Sequence, residues 1–161
     1  MRMRMFVFLL AGCLAAAGAS AADEPPNLAG VTLDNRPFDL AQRRGRVVML
    51  MLWRTDCAVC LSKMPELRAN AAGWQHKPFD LVMLNLDPNR DDALAYEQAR
   101  QQTGVARAPV WSLWQGSARL PAAWLQPQRL PVLLLLGADG RITKRWEGRV
   151  PPEAWDEVAH V

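Results

Sequence analysis

The sequence predicts an α/β protein in which helices cover both faces of a sheet. A continuous apolar run at 47–53 and a largely apolar run at 79–87 are typical of strands buried on both sides. A third such run, at 131–136, is followed by the turn sequence GADG. Helical spacing of apolar residues after the first two runs completes the alternation of strands and helices that is typical of this class.

The first element of the domain is predicted to be a β-hairpin at 31–40. Asp34 and Asn35 lie at its centre, and both residue types favour tight turns. Gly45 then interrupts the chain directly before the first buried strand. We therefore expect the hairpin to precede the central sheet.

Three helices are predicted to follow. The first begins at Cys57 and extends to about Ala72, and Pro65 is expected to kink it. The second occupies 91–104, with acidic residues in its first turn and a glycine at its end. A returning strand at 141–148 precedes the third helix, which two prolines introduce.

The segment between the second helix and the third buried strand, 105–130, is predicted to be irregular. Its three tryptophans are expected to pack against the domain rather than to form a docking surface: Trp111, Trp114 and Trp124. Trp53 and Trp146 are also expected in or against the core, because aromatic side chains dominate core burial. His76 and His160 are expected at the surface, without acid–base roles.

The first 21 residues are predicted to be a secretory signal peptide. Arg2 and Arg4 precede an uncharged apolar stretch, and Ala-Ser-Ala at 19–21 is a small-residue cleavage site. The chain is therefore divided into a signal peptide, a linker and a folded domain, at residues 1–21, 22–30 and 31–161.

Two alternatives to cleavage remain. The uncharged residues 5–22 are long enough to be weighed as a retained membrane anchor. The sequence LAGC also resembles a lipobox, in which Cys13 would carry a lipid. All three interpretations place the domain outside the cytoplasm, and the periplasm is the predicted compartment.

The charge balance argues against nucleic acid as a partner. Removal of the signal leaves 17 of the 19 basic residues against 16 acidic ones, which lowers the net charge from +3 to +1. Nucleic-acid binding requires a clustered basic face, and a balance near neutrality provides no sign of one.

The chemistry of the domain is predicted to centre on Cys57 and Cys60. A disulfide between them closes so short a loop that it adds little stability, which argues against a purely structural role. A zinc site requires further cysteine or histidine ligands, and His76 and His160 are isolated in the sequence. No metal site is predicted, but copper(I), which favours soft thiolates, is retained as an alternative.

The setting of the two cysteines favours thiol–disulfide exchange. Cys57 follows a buried strand and lies in the first turn of a helix, where unpaired N–H groups and the helix dipole stabilise negative charge. These effects lower the pKa of its thiol and populate the reactive thiolate. Cys60 is near enough to resolve a mixed disulfide by forming the Cys57–Cys60 bond. A C-x-x-C pair between a strand and a helix is typical of a thioredoxin-like centre.

The domain resembles the TlpA/ResA group of thioredoxin-fold thiol–disulfide oxidoreductases over about 31–150. The resemblance is carried by five features: LDNRPFDL, GRVVMLMLWRTDCAVC, Pro65, LVMLNLD and RLPVLLLLGADGRI. It implies a thioredoxin-like fold, with a central mixed sheet, helices on both faces and an N-terminal β-hairpin extension. It also implies that Pro131 is cis beside the disulfide and that Leu130 pairs with a substrate peptide. Trp53 is predicted as a third substrate-binding residue.

The resemblance further implies an activity. Cys57 attacks and Cys60 resolves, protein disulfides are reduced, a membrane protein donates the electrons, and no cofactor is needed. We expect a monomer that meets the membrane only through an uncleaved anchor or a lipidated Cys13. Two alternatives remain: a copper-handling module that uses the same thiols, and a non-catalytic binding domain on the same scaffold.

The chain departs from the family pattern near the cysteines. Asp56 replaces the usual tryptophan before the first cysteine, and Lys63 stands where cytochrome-maturing members often have glutamate. Met51 occupies the position of thioredoxin's buried aspartate. Asp56 is predicted to cap the helix and to raise the pKa of Cys57, while Lys63 is expected to offset that effect.

Overall fold

The structure is a computed structural model that describes residues 25–102 and 110–160. The predicted signal peptide and Cys13 therefore lie outside the described residues. Within the described ranges, no helix combines the length and apolar character needed to cross a membrane.

The described part of the chain contains one seven-stranded sheet. Its strands are β1 (Ala29–Thr32), β2 (Pro37–Asp39), β3 (Val47–Trp53), β4 (Phe79–Asn85), β5 (Val110–Arg119), β6 (Val132–Leu136) and β7 (Ile142–Glu147). The α-helices are α1 (Ala58–Gly73), α2 (Arg90–Gln102) and α3 (Ala154–His160). Two short 3₁₀ helices span Leu40–Arg43 and Ala122–Trp124.

The sheet is mixed, as predicted, and its order is β2-β1-β5-β4-β3-β6-β7. Strands β3, β4 and β5 are parallel to one another. Strand β6 is antiparallel to β3, and β7 is antiparallel to β6. The hairpin of β1 and β2 extends the opposite edge through an antiparallel pairing with β5. Its turn contains Asn35 at a φ of 63°, a left-handed conformation that asparagine tolerates. The predicted hairpin extension is therefore confirmed.

The core consists of two apolar clusters, one on each face of the sheet. Met49, Met51 and Trp53 of β3 face the cluster that contains buried residues of α1 and α3. Leu50 and Leu52 face the other cluster, which the two 3₁₀ helices help to cover. The side chains in the middle of β3 are completely buried on both faces, and burial of each contributes roughly 1.5–3 kcal/mol. Helical elements thus cover both faces, with α1 and α3 on one and the 3₁₀ helices on the other.

Strand β5 is the main correction to the predicted elements. Residues 110–119 of the segment expected to be irregular form a ten-residue strand, and only Leu113 in it is fully buried. Its first half pairs with β4 and its second half with β1, so it joins the hairpin to the central sheet. Tertiary pairing, rather than an apolar run, defines this strand.

Two smaller differences from the predicted elements concern the start of β1 and the course of α1. Strand β1 begins at Ala29, inside the predicted linker, and the preceding Leu28 is buried in the core. Helix α1 continues past Pro65 as a single element to Gly73. The last two residues of the second predicted helix, 103 and 104, lie outside the described ranges.

The tryptophans pack largely as predicted. Trp124 is buried, and Trp111 packs against Phe38 with a ring-centroid distance of 5.4 Å. Trp146 packs against the cluster on the α1 face. His76 and His160 are exposed, as expected.

Candidate active site

The two cysteines lie at the carboxyl edge of the parallel strands. Strand β3 ends at Trp53, and α1 begins at Ala58, so Cys57 occupies the connection between them. Leu52 of β3 pairs with Val132 of the antiparallel β6, which brings the start of β6 to the same edge. The Leu130–Pro131 peptide bond precedes β6 directly and is cis, as the family resemblance implies.

Cys57 and Cys60 form a disulfide, with their Cα atoms 5.2 Å apart. Cys57 is the N-cap of α1, and its Sγ accepts a hydrogen bond from the backbone N–H of Cys60 at 3.1 Å. The prediction that Asp56 caps the helix is therefore wrong. The cap position places Sγ of Cys57 on an N–H at the positive end of the helix dipole, where a thiolate is stabilised.

The two sulfurs differ in accessibility. Cys57 is partly exposed, whereas Cys60 is completely buried in the cluster on the α1 face. An incoming disulfide can therefore reach Cys57 and cannot reach Cys60. This asymmetry matches the predicted division into an attacking and a resolving cysteine.

Asp56 and Lys63 are each engaged with another partner. The Asp56 carboxylate is 69% exposed and lies 3.3 Å from the guanidinium of Arg54. The Lys63 ammonium binds Glu66 at 2.7 Å, one helical turn further along α1. The cation paired with Asp56 is thus Arg54, and the expected offset by Lys63 stays a prediction. Tuning of Cys57 by Asp56 stays a prediction.

Trp53 does not line a substrate surface. It is 1% exposed, and its ring packs on Tyr96 of α2 with a centroid distance of 4.9 Å. The predicted core role is confirmed, and the predicted substrate-binding role is wrong, because its side chain is inaccessible to a protein substrate.

Leu130 and Pro131 have different environments. Leu130 is partly buried and packs against both apolar clusters, while Pro131 is buried. The carbonyl of Pro131 accepts a hydrogen bond from the N–H of Gly148 at 2.8 Å. This bond ties the start of β6 to the residue that follows β7, and so anchors the segment at this edge of the sheet.

A buried carboxylate, Asp87, was not predicted at the site. It follows β4 at the same edge of the sheet as the cysteines. Both of its oxygens accept from the backbone N–H of Thr55, at 3.1 and 3.2 Å, and Oδ2 also accepts from Nδ2 of Asn85 at 2.7 Å. Arg54 lies 3.6 Å from Oδ1. The position of Asp87 in the sequence, just after β4, could have indicated that it lies near the cysteines, because the carboxyl ends of adjacent parallel strands meet at one edge.

Strand β5 holds the backbone of Asp87. Nε1 of Trp114 donates to the Asp87 carbonyl at 2.8 Å, and the Gln115 side-chain amide donates to the same oxygen at 2.9 Å. Trp114 lies against Gly116, where a Cβ atom would overlap its ring. The unpredicted strand therefore supports the unpredicted carboxylate.

Metal binding gains no support from clustered side chains. Among residues 25–102 and 110–160, no three His, Cys, Asp or Glu residues are grouped so that they could hold an ion. The Cys57–Cys60 pair is therefore not joined there by further protein ligands of these types.

Known proteins show similarity along most of the chain. The Redoxin family model matches residues 17–160. Thiol-disulfide oxidoreductase ResA of Bacillus thuringiensis (strain Al Hakam) is 24% identical over 130 residues, which are 81% of this chain and 71% of that protein. ResA of Bacillus thuringiensis subsp. konkukian (strain 97-27) is 23% identical over 134 residues, 83% of this chain and 73% of that protein.

Solved structures share the fold. A thiol:disulfide interchange protein of the thioredoxin family from Chlorobium tepidum TLS superposes with a TM-score of 0.66 at 19% identity, covering 88% of this chain and 97% of its own. StoA from Bacillus subtilis gives a TM-score of 0.63 at 17% identity, with coverage of 84% and 98%. Together with the family match, the sheet order and the capped cysteine pair, these likenesses establish that the chain belongs to the Redoxin family as a TlpA/ResA-like protein of thioredoxin fold.

Proposed function

We propose that this thioredoxin-like thiol–disulfide oxidoreductase reduces disulfides of other proteins outside the cytoplasm. The observation that carries the proposal is the asymmetric pair at the start of α1. Cys57 is partly exposed and its Sγ accepts a hydrogen bond from the backbone N–H of Cys60, whereas the Cys60 side chain is buried. A structural crosslink needs no such asymmetry, but a two-step exchange requires one reachable sulfur and one protected sulfur.

The reaction begins with the reduced pair. The Cys57 thiolate attacks one sulfur of the substrate disulfide, a bond forms between them, and the other substrate sulfur leaves as a thiolate that takes up a proton. Cys60 then loses its proton and attacks Sγ of Cys57. The Cys57–Cys60 bond forms, and the second substrate sulfur leaves as a thiol. Two electrons pass from the cysteine pair to the substrate, and an external dithiol must return them.

The substrate is bound, in this proposal, by the segment around Leu130 and Pro131. A peptide that pairs with the backbone of Leu130, before β6 begins, would lie at the end of the sheet that carries Cys57. The proposed location outside the cytoplasm is supported by the signal-like sequence at 1–21 and by the absence of other cysteines from the predicted mature domain. A membrane dithiol protein is the proposed electron donor.

Insulin reduction tests the proposal. With dithiothreitol as the electron source, the protein is expected to accelerate precipitation of the insulin B chain, and Cys57→Ser is expected to abolish the acceleration. Cys60→Ser keeps the attacking thiol and is expected to accumulate a mixed disulfide with the substrate, detectable by mass spectrometry. An inactive wild-type protein, or activity that survives in Cys57→Ser, contradicts the proposal. An inactive protein whose reduced form binds copper(I) stoichiometrically would instead favour the copper-handling alternative.

A further inference from the structure

The carboxylate of Asp87 is surrounded by hydrogen-bond donors. The Thr55 N–H and the Asn85 side-chain amide donate to it, and the Arg54 guanidinium faces it at 3.6 Å. An ionised carboxylate is an acceptor at both oxygens, so it satisfies all these groups at once. An asparagine has the same shape but turns an NH₂ group toward one of the donors. The site therefore requires the carboxylate and not only a polar side chain.

These bonds reach Cys57 through a single turn of backbone. The N–H of Cys57 donates to the carbonyl of Arg54 at 3.2 Å and closes the turn 54–57. Thr55, inside this turn, is the residue whose N–H Asp87 holds. The N–H of Leu86 donates to the carbonyl of Trp53 at 2.8 Å, which joins the ends of β3 and β4 just before the turn. Asp87 is thus the side-chain anchor of the turn that ends at Cys57.

Arg54 extends the same network to the surface. Its guanidinium lies between the buried Asp87, at 3.6 Å, and the exposed Asp56, at 3.3 Å. Its Nε is buried and forms no hydrogen bond, and the Asp87 carboxylate is the charge that faces this atom. If Asp87 were neutral, Arg54 would lose the partner that keeps it against the turn.

We propose that Asp87 is a positioning residue for disulfide exchange, which fixes the turn 54–57 so that Sγ of Cys57 stays on the N–H groups of α1 and Arg54 stays beside the turn. The inference rests on the proposed function for its catalytic meaning. The position of Cys57 can nevertheless be measured without any protein substrate, from the reactivity of its thiol.

Charge and position predict opposite signs for the same variant. Among the described residues, the turn itself carries Arg54 and Asp56 and is faced by Asp87, while Lys63 on α1 is paired with Glu66. Removal of a nearby negative charge alone lowers the pKa of a thiol. Displacement of Cys57 from the helix N-terminus raises it, because the N–H and dipole stabilisation of the thiolate is lost. If Asp87 acts by positioning, the pKa of Cys57 rises in Asp87→Asn.

The decisive measurement is the pH dependence of Cys57 alkylation in the reduced full-length protein, followed by mass spectrometry of the peptide that contains it. We expect Asp87→Asn to react about tenfold more slowly at pH 7, equivalent to an upward shift of about one unit in the pKa of Cys57. Asp80→Asn is the matched control. Asp80 is a second buried aspartate, at the other end of β4, and is paired with Arg46 at 2.7 Å. Its variant should leave the profile unchanged.

A second variant of the same network allows the measurement to be made even if Asp87→Asn fails to fold. Arg54 is partly exposed, so Arg54→Gln should fold, and it is also expected to shift the alkylation profile to higher pH. Insulin reduction by Asp87→Asn should fall about tenfold in kcat/KM relative to the Asp80→Asn protein. A profile that moves to lower pH, or does not move, in Asp87→Asn overturns the positioning role. An unmoved profile in Arg54→Gln also overturns it, because loss of the positive charge and loss of positioning both predict a move to higher pH there. If wild type fails to reduce insulin, the proposed function fails, while the alkylation profiles still decide the positioning role.

Discussion

The two ends of strand β4 carry the same pair of residue types for different purposes. At the start of the strand, Asp80 binds Arg46, which directly precedes β3. Beyond its end, Asp87 faces Arg54, which directly follows β3. At the first end two hydrogen bonds join the partners, at 2.7 and 3.2 Å. At the second end the ions are 3.6 Å apart, and the carboxylate bonds instead to backbone and amide N–H groups.

The two aspartates have different roles: one joins strands of the sheet, and the other contacts the turn that ends at Cys57. The Asp80–Arg46 ion pair connects the starts of β3 and β4 and includes no residue of the turn that ends at Cys57. The Asp87 carboxylate, beyond the end of β4, accepts hydrogen bonds from the turn 54–57, and its neighbour Arg54 also pairs with Asp56. The Asp87 carboxylate accepts directly from backbone and so fixes the position of the chain, whereas the Asp80 carboxylate accepts from the side chains of Arg46 and Trp111. The active-site end is therefore the end where geometry matters most.

Truncation of each aspartate should give the largest contrast. Asp87→Ala leaves the Thr55 N–H and the Asn85 amide without an acceptor in a buried site, and we expect a loss of about 3 kcal/mol in the free energy of unfolding. Asp80→Ala should cost about 1–2 kcal/mol, because the Arg46 side chain is 36% exposed and can be hydrated. Urea unfolding of the oxidised proteins measures both. Equal losses would remove the distinction between the two ends.

A substitution in β5 tests the support behind Asp87. In Gly116→Ala the new methyl group overlaps the Trp114 ring, which must move away from the Asp87 carbonyl. We expect a loss of about 1–3 kcal/mol in stability, together with slower alkylation of Cys57. Gly73→Ala is the control, since no atom lies within 4 Å of its added methyl group. Unchanged alkylation in a destabilised Gly116→Ala protein would show that β5 does not act on the site.

Glu66 provides a reference carboxylate away from both ends of β4. Desolvation raises its pKa, but hydrogen bonds from Lys63 and Trp155 and the charge of Lys63 outweigh that effect and hold the pKa below 4.5. A lowered pKa stabilises the fold above the unfolded-state value, and the stabilisation is lost as the pH falls through the folded-state value. Glu66→Gln should therefore be less stable than wild type at pH 7, and equally stable well below pH 4.5.

The expected size of the Glu66 effect is small. Its side chain is 44% exposed, so screening limits the difference at pH 7 to about 0.3 kcal/mol. Thermal unfolding of both proteins over a pH series measures it. A difference that persists unchanged in acid would contradict the assignment of the effect to ionisation.

Asp56→Asn should have the smallest effect. We expect this variant to lower the pKa of Cys57, because the negative charge of Asp56 beside the thiol is lost. The exposure of Asp56 and its pairing with Arg54 reduce the effect, so alkylation at pH 7 should accelerate less than about twofold. An acceleration larger than the slowing in Asp87→Asn would make the exposed aspartate, and not the buried one, the main influence on Cys57.

The predictability of each element follows from where its signal lies. Strands β3 and β6 were recognisable because their residues are buried on both faces, so every position is apolar. The start of α1 was recognisable because the cysteine pair directly follows such a run. Strand β5 was not, since Gln115, Gly116 and Ser117 interrupt its apolar residues, and its partners β4 and β1 are distant in sequence.

The sequence by itself determined the fold class and the cysteine pair, because apolar runs and local spacing are read within one segment, while the family resemblance implied the cis bond at Pro131. Tertiary structure alone decided that Cys57 rather than Asp56 caps α1, that Trp53 is inaccessible and that Asp87 holds the turn before Cys57. These features depend on groups that approach one another across the sheet. Spacing along the chain does not encode which donor meets which acceptor at a shared edge.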